Sequence, residues 1–235
     1  MITNLGWWLG RLSIGAMALA CAGPALAHLE WLSPLGGFVA CVSGAALGLL
    51  CLGMAALAWV VSATGAASVA PAPLQTLLTV AAAIPGLVLF GVAFAARTAP
   101  RINDVATDLR EPPALGLESE PSLPDRFRPI IEAAYPDLRP AIAPGTPEAV
   151  LERAQALALG MGWEVRKVDR QAGVLHATTI TGLFRFRDDV GLRVRAETGG
   201  TRVDMRSRSR VGQGDFGANA ARIRAFLAAL SASAR

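Results

Sequence analysis

The chain has 235 residues, of which 53% are hydrophobic and 17% are charged, and its formal net charge is +4. Residues 12–96 contain one formally charged side chain, Glu30, whereas residues 97–235 contain 21 Arg or Lys and 17 Asp or Glu. Long uncharged helices are stable in the hydrocarbon core of a bilayer, and mixed-charge segments are not. This division therefore excludes a uniformly water-soluble protein and predicts a membrane anchor, residues 1–97, followed by a soluble part.

Three apolar stretches within the anchor each approach the ~20 residues that a helix needs to cross a bilayer. The second carries Trp59 near its end, where an aromatic side chain suits the membrane interface. The third contains Pro85 and Gly86, which membrane helices tolerate. We therefore predict three transmembrane helices, at about 12–32, 35–62 and 74–96.

Two features of the anchor leave alternatives open. Arg11, the apolar run after it and the sequence Ala25-Leu26-Ala27 imitate a secretory signal with its cleavage site, although a turn-like segment then leads into the second stretch. Ala40, Gly44 and Gly48 are spaced four apart, which places them on one helix face that another backbone can approach closely. That face packs against the other two helices or, alternatively, forms a homo-oligomer.

Few charges set the orientation of the anchor. Arg97, Arg101 and Arg110 follow the third stretch, and a count of positive charges favours a cytoplasmic C-terminal domain. A signal-like first segment instead enters with its N-terminus in the cytoplasm, and three spans then place the domain outside. We expect the second arrangement, a multi-pass protein of the bacterial inner membrane with a periplasmic domain.

The charged half begins with a segment rich in proline, which has ten prolines within residues 100–147. Few of them lie in a periodic apolar pattern, so we predict that residues 98–146 form a linker that wraps or spaces the domain. Apolar residues such as Phe127, Ile131 and Tyr135 would attach this segment to a core.

Residues 147–235 have the pattern of an α+β domain. Thr146 can cap a helix that has Pro147 at its first position and ends near Gly160. Four strand-like runs and a last helix, at about 217–231, follow. The runs cover 163–169, 174–181, 183–197 and 201–211. The predicted fold is α-β-β-β-β-α, an antiparallel four-stranded sheet with two helices on one face and the other face open.

Period-two alternation separates the two faces of this sheet. In the third run Phe184, Val190 and Leu192 share one parity and arginines share the other, and the fourth run repeats this division. Guanidinium groups suit bidentate contacts, so we expect the arginine face to bind membrane lipid with an anionic head group or an acidic protein partner. The alternative is a solvated face whose charges pair with Asp189 and Asp204. The candidate binding residues are Arg185, Arg187, Arg193, Arg195, Arg206, Arg208 and Arg210.

Several polar residues share the parity of apolar residues, including His176 and Thr178 in the second run. A buried polar group without a partner costs about 1–3 kcal/mol. Either a bulge at 188–189 turns Asp188 outward, or this carboxylate caps the loop after residue 211, or a small polar pocket lies between the sheet and the last helix. The possible pocket comprises Asp188, Ser207, Ser209, Asn219 and Arg222.

Four motifs together carry a family resemblance. They are INDVATD at 102–108, FRDDV at 186–190, VDMRSRSRVG at 203–212 and GANAARI at 217–223. In this order they resemble the bacterial and plastid family of domain of unknown function 1499, over about residues 100–232 and outside the membrane anchor. The resemblance implies an α/β domain, often tethered to or exported across a membrane, and implies no established activity.

The residue types favour a binding or scaffolding module over an enzyme. His176 is the one histidine in the charged half, which has no cysteine, so we predict no catalytic residue, no metal site and no cofactor. A triad of His176 and Asp188 with Ser207 or Ser209 lacks a nucleophile elbow. Small-ligand binding or catalysis in the polar pocket is the alternative. We expect no nucleic acid partner, because no aromatic residue is interleaved with the arginines.

Overall fold

The computed structural model describes residues 5–232 and divides the chain into two units. One unit contains residues 1–97 together with 182–185, and the other contains residues 98–181 and 186–235. The outermost residues of the predicted anchor and of the predicted α+β domain, 1–4 and 233–235, lie outside the described residues.

Three helices form the first unit, and each is long and apolar enough to cross a membrane. They are α1 (Leu5–His28), α2 (Pro34–Ala63) and α3 (Pro73–Ala95). The first helix begins seven residues before the predicted stretch and ends four residues before its predicted end. It ends at His28 because Glu30 has a positive φ of 60° and Ser33 caps α2, accepting a hydrogen bond from the Gly36 amide at 3.1 Å.

Small residues bring the three helices close together. A Cβ added at Gly44 would overlap the backbone of α1, and one added at Gly48 would overlap the Ala82 carbonyl of α3. The hydroxyl of Ser13 donates to that of Thr79 at 3.1 Å between α1 and α3. The face predicted from small-residue spacing therefore packs within the chain, and a homo-oligomer through it stays a prediction.

The described part of the second unit contains an antiparallel sheet, three α-helices and one 3-10 helix (Asp125–Phe127). In chain order its elements are β1 (Asp104–Ala106), α4 (Arg128–Ala134), β2 (Ala141–Ala143), α5 (Pro147–Gly160), β3 (Glu164–Asp169), β4 (Val174–Ile180), β5 (Arg187–Glu197), β6 (Gly200–Ser209) and α6 (Ala218–Ala232). The strand order is β1-β6-β5-β4-β3, and β2 also pairs with β6.

The sheet therefore has six strands, and the predicted four-stranded sheet is wrong in this detail. Both additional strands have three residues, too few to show alternation, and both lie on the edge of β6 that faces away from β5. They come from residues 98–146, the segment predicted to be a wrapping linker. The strand β5 also begins at Arg187 rather than at 183, because residues 182–184 form a turn and Arg185 has a positive φ of 59°.

The core lies between one face of the sheet and the helices α5 and α6. The helix α5 starts as its sequence predicts: Thr146 Oγ1 accepts a hydrogen bond from the Ala149 amide, and Pro147 occupies the first turn. Apolar side chains of β4, β5 and β6 pack against both helices. Trp163, which precedes β3, stacks on Phe226 of α6 with 4.8 Å between ring centroids.

Candidate functional site: an arginine-lined cleft

The two faces of β5 and β6 have different chemistry, as alternation predicts. Val190, Leu192 and Met205 lie in the core, and the intervening positions of both strands carry most of the arginines. The pairing of β5 with β6 runs without a register shift from Asp188 opposite Ser209 to Glu197 opposite Gly200. The proposed bulge at 188–189 is therefore wrong, and Asp188 keeps the parity of the core residues.

The arginine face is covered, and the expectation that it is open to solvent is wrong. The chain before α4 crosses it, and Leu115 of this segment is fully buried. A Cβ added at Gly191, in the middle of β5, would overlap the Ala114 carbonyl oxygen. The strand β5 therefore needs a glycine here, because the covering backbone lies directly against the sheet.

Carboxylates from the covering segment and from the strands occupy most of the seven candidate arginines. Arg206 is 2% exposed and donates to Asp104 at 3.0 and 2.7 Å. Arg193 and Arg195 both contact Asp204, at 3.2 and 3.0 Å. Arg210 pairs with Asp189, and Arg187 pairs with Glu164. Arg208 lies 3.8 Å from Asp104, and Arg185 pairs with Glu30 in the first unit. These ion pairs agree with the alternative interpretation of the sequence, in which carboxylates neutralise the charges of the arginine face.

Asp108 joins three arginines of this face and lies outside the strands. Its Oδ2 lies 3.0 Å from Arg202 and 3.4 Å from each of Arg193 and Arg195. Burial alone would raise the pKa of Asp108, but hydrogen bonds from the Glu111 and Arg110 amides and the charges of Arg202 and Arg193 outweigh it. The pKa is therefore lowered, which keeps this carboxylate ionised.

The structure brings together all five residues of the predicted polar pocket. Arg222 Nη2 donates to Asp188 at 2.6 Å, and its Nη1 donates to Ser207 at 2.8 Å and to Asn219 at 2.6 Å. The Asn219 amide in turn donates to Ser209 at 3.1 Å. Four of these side chains are buried, and the polar atoms bond to one another between β5, β6 and α6.

His176 and Thr178 lie on the arginine face, so their placement with the apolar residues of the sheet is wrong. The alternating positions Leu175 and Ala177 are the residues of β4 that enter the core. His176 is 8% exposed, and burial, reinforced by the charge of Arg166, lowers its pKa. Thr178 donates to Asp189 at 3.3 Å.

An open cleft of about 600 Å³ lies at the β1–β6 edge of the sheet. Arg101, Arg126 and Arg208 line it, with Asp104 as the one acidic residue among its lining residues. Because Asp104 already pairs with Arg206 through both carboxylate oxygens, the three arginines have excess positive charge. Ser122, Gln213, Asn103, Pro124, Phe127, Ile130 and Gly212 complete the lining.

The cleft contains one residue from the predicted binding set, Arg208, and two that the sequence analysis did not select. Arg101 and Arg126 are exposed and belong to the proline-rich segment, where no strand period marks a face. Arg101 directly precedes the resemblance motif at 102–108, which could have drawn attention to it, whereas no sequence pattern marks Arg126.

Two other features bear on chemistry. A smaller cleft of about 280 Å³ is lined by Tyr135, Arg110, Arg139 and Arg202 but also by the acidic residues Asp108 and Glu132. Within residues 5–232 no group of three or more His, Cys, Asp or Glu side chains is placed to hold a metal ion.

The fold and the site define a protein with three potential membrane-spanning helices and an arginine-rich α+β domain. Residues 104–230 match the family described as "Protein of unknown function (DUF1499)", and the chain belongs to this family. The three apolar helices precede the matched region. A comparison with curated proteins finds no match.

Proposed function

We propose that this protein is a membrane-anchored binding module whose arginine-lined cleft binds anionic lipid head groups. The observation that carries the proposal is the charge of the cleft: three arginines line it, and the one carboxylate among its lining residues is held by Arg206. The guanidinium group is a planar donor that matches phosphate oxygens in pairs, so this lining suits a phosphate-bearing ligand.

The rim of the cleft is held in place before any ligand arrives. Asn103 Nδ2 donates to the Gly212 carbonyl at 2.7 Å and to the Ser209 carbonyl at 3.3 Å, linking the start of the domain to the end of β6. Arg208 extends from β6 itself, and its side chain is 35% exposed. A site on rigid elements loses less entropy when it binds.

The covalent chain keeps the cleft within reach of a membrane surface. Five residues separate Ala95, the last residue of α3, from Arg101. Even fully extended, this connection reaches no more than about 22 Å. The ligand class with the highest local concentration there is the lipid head group, which favours anionic lipid over a soluble acidic partner.

Hydrogen exchange on the full chain in nanodiscs tests the proposal. Amides of residues 101–103 and 208–213 should exchange more slowly in discs that contain phosphatidylglycerol than in discs of phosphatidylcholine alone. Arg126→Gln should reduce this difference. Arg170→Gln removes the same charge from the turn after β3, the opposite edge of the sheet, and should leave it unchanged. Equal exchange in the two lipids would overturn the proposal.

The alternatives have less structural support. An acidic protein partner would use the arginine face, but the covering segment and its carboxylates already occupy most of those guanidinium groups. Small-ligand binding or catalysis around Asp188 would require polar atoms free for a ligand, and the five side chains there bond to one another. We assign that group a structural role.

The proposed location is the bacterial inner membrane, with the C-terminal domain in the periplasm. The signal-like first helix supports an N-terminus in the cytoplasm, from which three spans lead to the outside. Alkaline phosphatase and fluorescent protein fused after Arg235 test this orientation. Phosphatase activity without fluorescence is expected, and the reverse pattern would place the domain in the cytoplasm.

A further inference from the structure

The loop between β6 and α6 exposes a large apolar side chain in a strained backbone conformation. Phe216 is 65% exposed and has a φ of +53°. A bulky residue is rarely found in this left-handed region, where glycine is the usual choice. Val211, at the other end of the loop, is 44% exposed. Neither side chain contributes to the core of the domain.

Hydrogen bonds fix the backbone that carries Phe216. The carboxylate of Asp215 accepts from the Gly217 amide at 2.9 Å and from the Asn219 amide at 2.8 Å, at the start of α6. The Asp215 amide donates to the Ile102 carbonyl at 3.2 Å. The exposed aromatic ring therefore projects from an ordered loop, at a cost in backbone strain that points to a function for the side chain.

The same loop packs against the first residues after the membrane anchor. A Cβ added at Gly214 would lie 3.4 Å from Arg101 Cα, and one added at Gly217 would lie 3.8 Å from Ala99 Cβ. Gly212 also lines the arginine cleft. The loop that carries these exposed apolar residues thus lies beside Arg101, at the part of the domain nearest in sequence to α3.

We propose that this loop inserts Phe216, together with Val211, into the interfacial region of the bilayer that holds the anchor. Aromatic side chains bind at the boundary between head groups and acyl chains, and flanking basic residues strengthen such binding through anionic lipid. The inference deepens the proposed function and rests on it for the role of the cleft. Insertion adds an apolar contact that the cleft does not supply.

Photocrosslinking tests insertion directly. Benzoylphenylalanine is introduced at position 216 of the full chain in phosphatidylcholine nanodiscs, and lipid adducts are measured by mass spectrometry after irradiation. Position 171, exposed in the turn between β3 and β4, is the matched control. We expect about tenfold more lipid adduct at 216 than at 171. Equal yields, or adducts with a second copy of the chain instead of lipid, would overturn the proposal.

A second variant leaves the fold intact and removes the ring. Phe216→Gly relieves the left-handed strain, so the domain should stay folded. Amides of residues 212–217 should exchange faster in the nanodisc-bound variant than in the unchanged chain. Identical exchange would contradict insertion.

The two proposals fail in different ways. Insertion is measured in neutral lipid, whereas head-group binding is measured as a difference between anionic and neutral lipid. Crosslinking at 216 without any effect of Arg126→Gln would sustain insertion and overturn head-group binding. An effect of Arg126→Gln without crosslinking at 216 would leave the cleft as the lipid contact of the C-terminal domain and overturn insertion.

Discussion

Arg206 illustrates what alternation along a strand can and cannot predict. The parity of β6 places this residue on the arginine face, as expected, and the structure then buries it against Asp104. The Pro121 carbonyl accepts a further hydrogen bond from Arg206 at 2.8 Å. Alternation identifies the face on which a side chain lies but not the distant segment that covers it, and Asp104 is 102 residues away in the sequence.

Removing Arg206 should destabilise the domain strongly. Arg206→Ala leaves the buried Asp104 carboxylate without its bidentate partner, which typically costs about 3–5 kcal/mol of unfolding free energy. Arg208→Ala removes a partly exposed arginine that lies 3.8 Å from the same carboxylate, and should cost under about 1 kcal/mol. Thermal unfolding of both variants in detergent measures the difference, and similar losses would contradict a buried pair that stabilises the fold.

His176 should make the stability of the domain depend on pH near neutrality. Burial and the charge of Arg166 lower its folded-state pKa below the unfolded value of about 6.5. As pH falls below that value the unfolded chain binds the proton first, and the unfolding free energy decreases by up to about 1.4 kcal/mol per pH unit until the folded-state pKa is reached.

The corresponding measurement is the melting temperature between about pH 7.5 and 5.5. The unchanged chain should melt at a lower temperature as the pH falls, and His176→Gln should flatten this dependence. Asp108, whose pKa is lowered, contributes stability that is present above about pH 4 and is lost as the pH falls through its folded-state pKa. Asp108 therefore titrates below the pH range of this measurement. An unchanged slope in the variant would contradict a buried neutral imidazole.

At the scale of elements, long strands and helices were predictable and short ones were not. The strands β5 and β6 have 11 and 10 residues, enough for alternation to reveal both faces. The same alternation suggested a polar group of Asp188, Ser207 and Ser209 with Asn219 and Arg222 as one of three alternatives, and these five side chains lie together. The strands β1 and β2 form only because β6 offers an unpaired edge, a tertiary cause that leaves no local pattern.

The covering segment should depend on Gly191. Gly191→Ala places a methyl group on the Ala114 carbonyl, so either β5 or the segment must move, with a loss of about 1–3 kcal/mol. Gly160→Ala, at the end of α5, meets no atom within 4 Å and should be neutral or slightly stabilising. Hydrogen exchange of the amides of residues 114–118 should increase in the first variant alone. Unchanged exchange there would contradict close packing of this segment on β5.

For the whole molecule, the charge boundary near residue 97 separates two units that use their side chains differently. Small residues pack the apolar helices, whereas ion pairs join the covering segment to the sheet. Alternation along the strands predicts an open arginine face, with pairing to Asp189 and Asp204 as the alternative, and does not reveal the segment that covers the face. Most of these arginines are internal partners of Asp and Glu, and the proposed binding function is concentrated in one cleft.

Calorimetric titration of the full chain in a neutral detergent with a short-chain phosphatidylglycerol tests head-group binding by the cleft directly. We expect saturable binding of this lipid, little or no binding of the corresponding phosphatidylcholine, and weaker binding as salt screens the charges. Replacing Arg101, Arg126 and Arg208 together by glutamine should abolish it, whereas Arg170→Gln should not. Equal binding of the two lipids, or undiminished binding by the triple variant, would contradict head-group binding in the cleft.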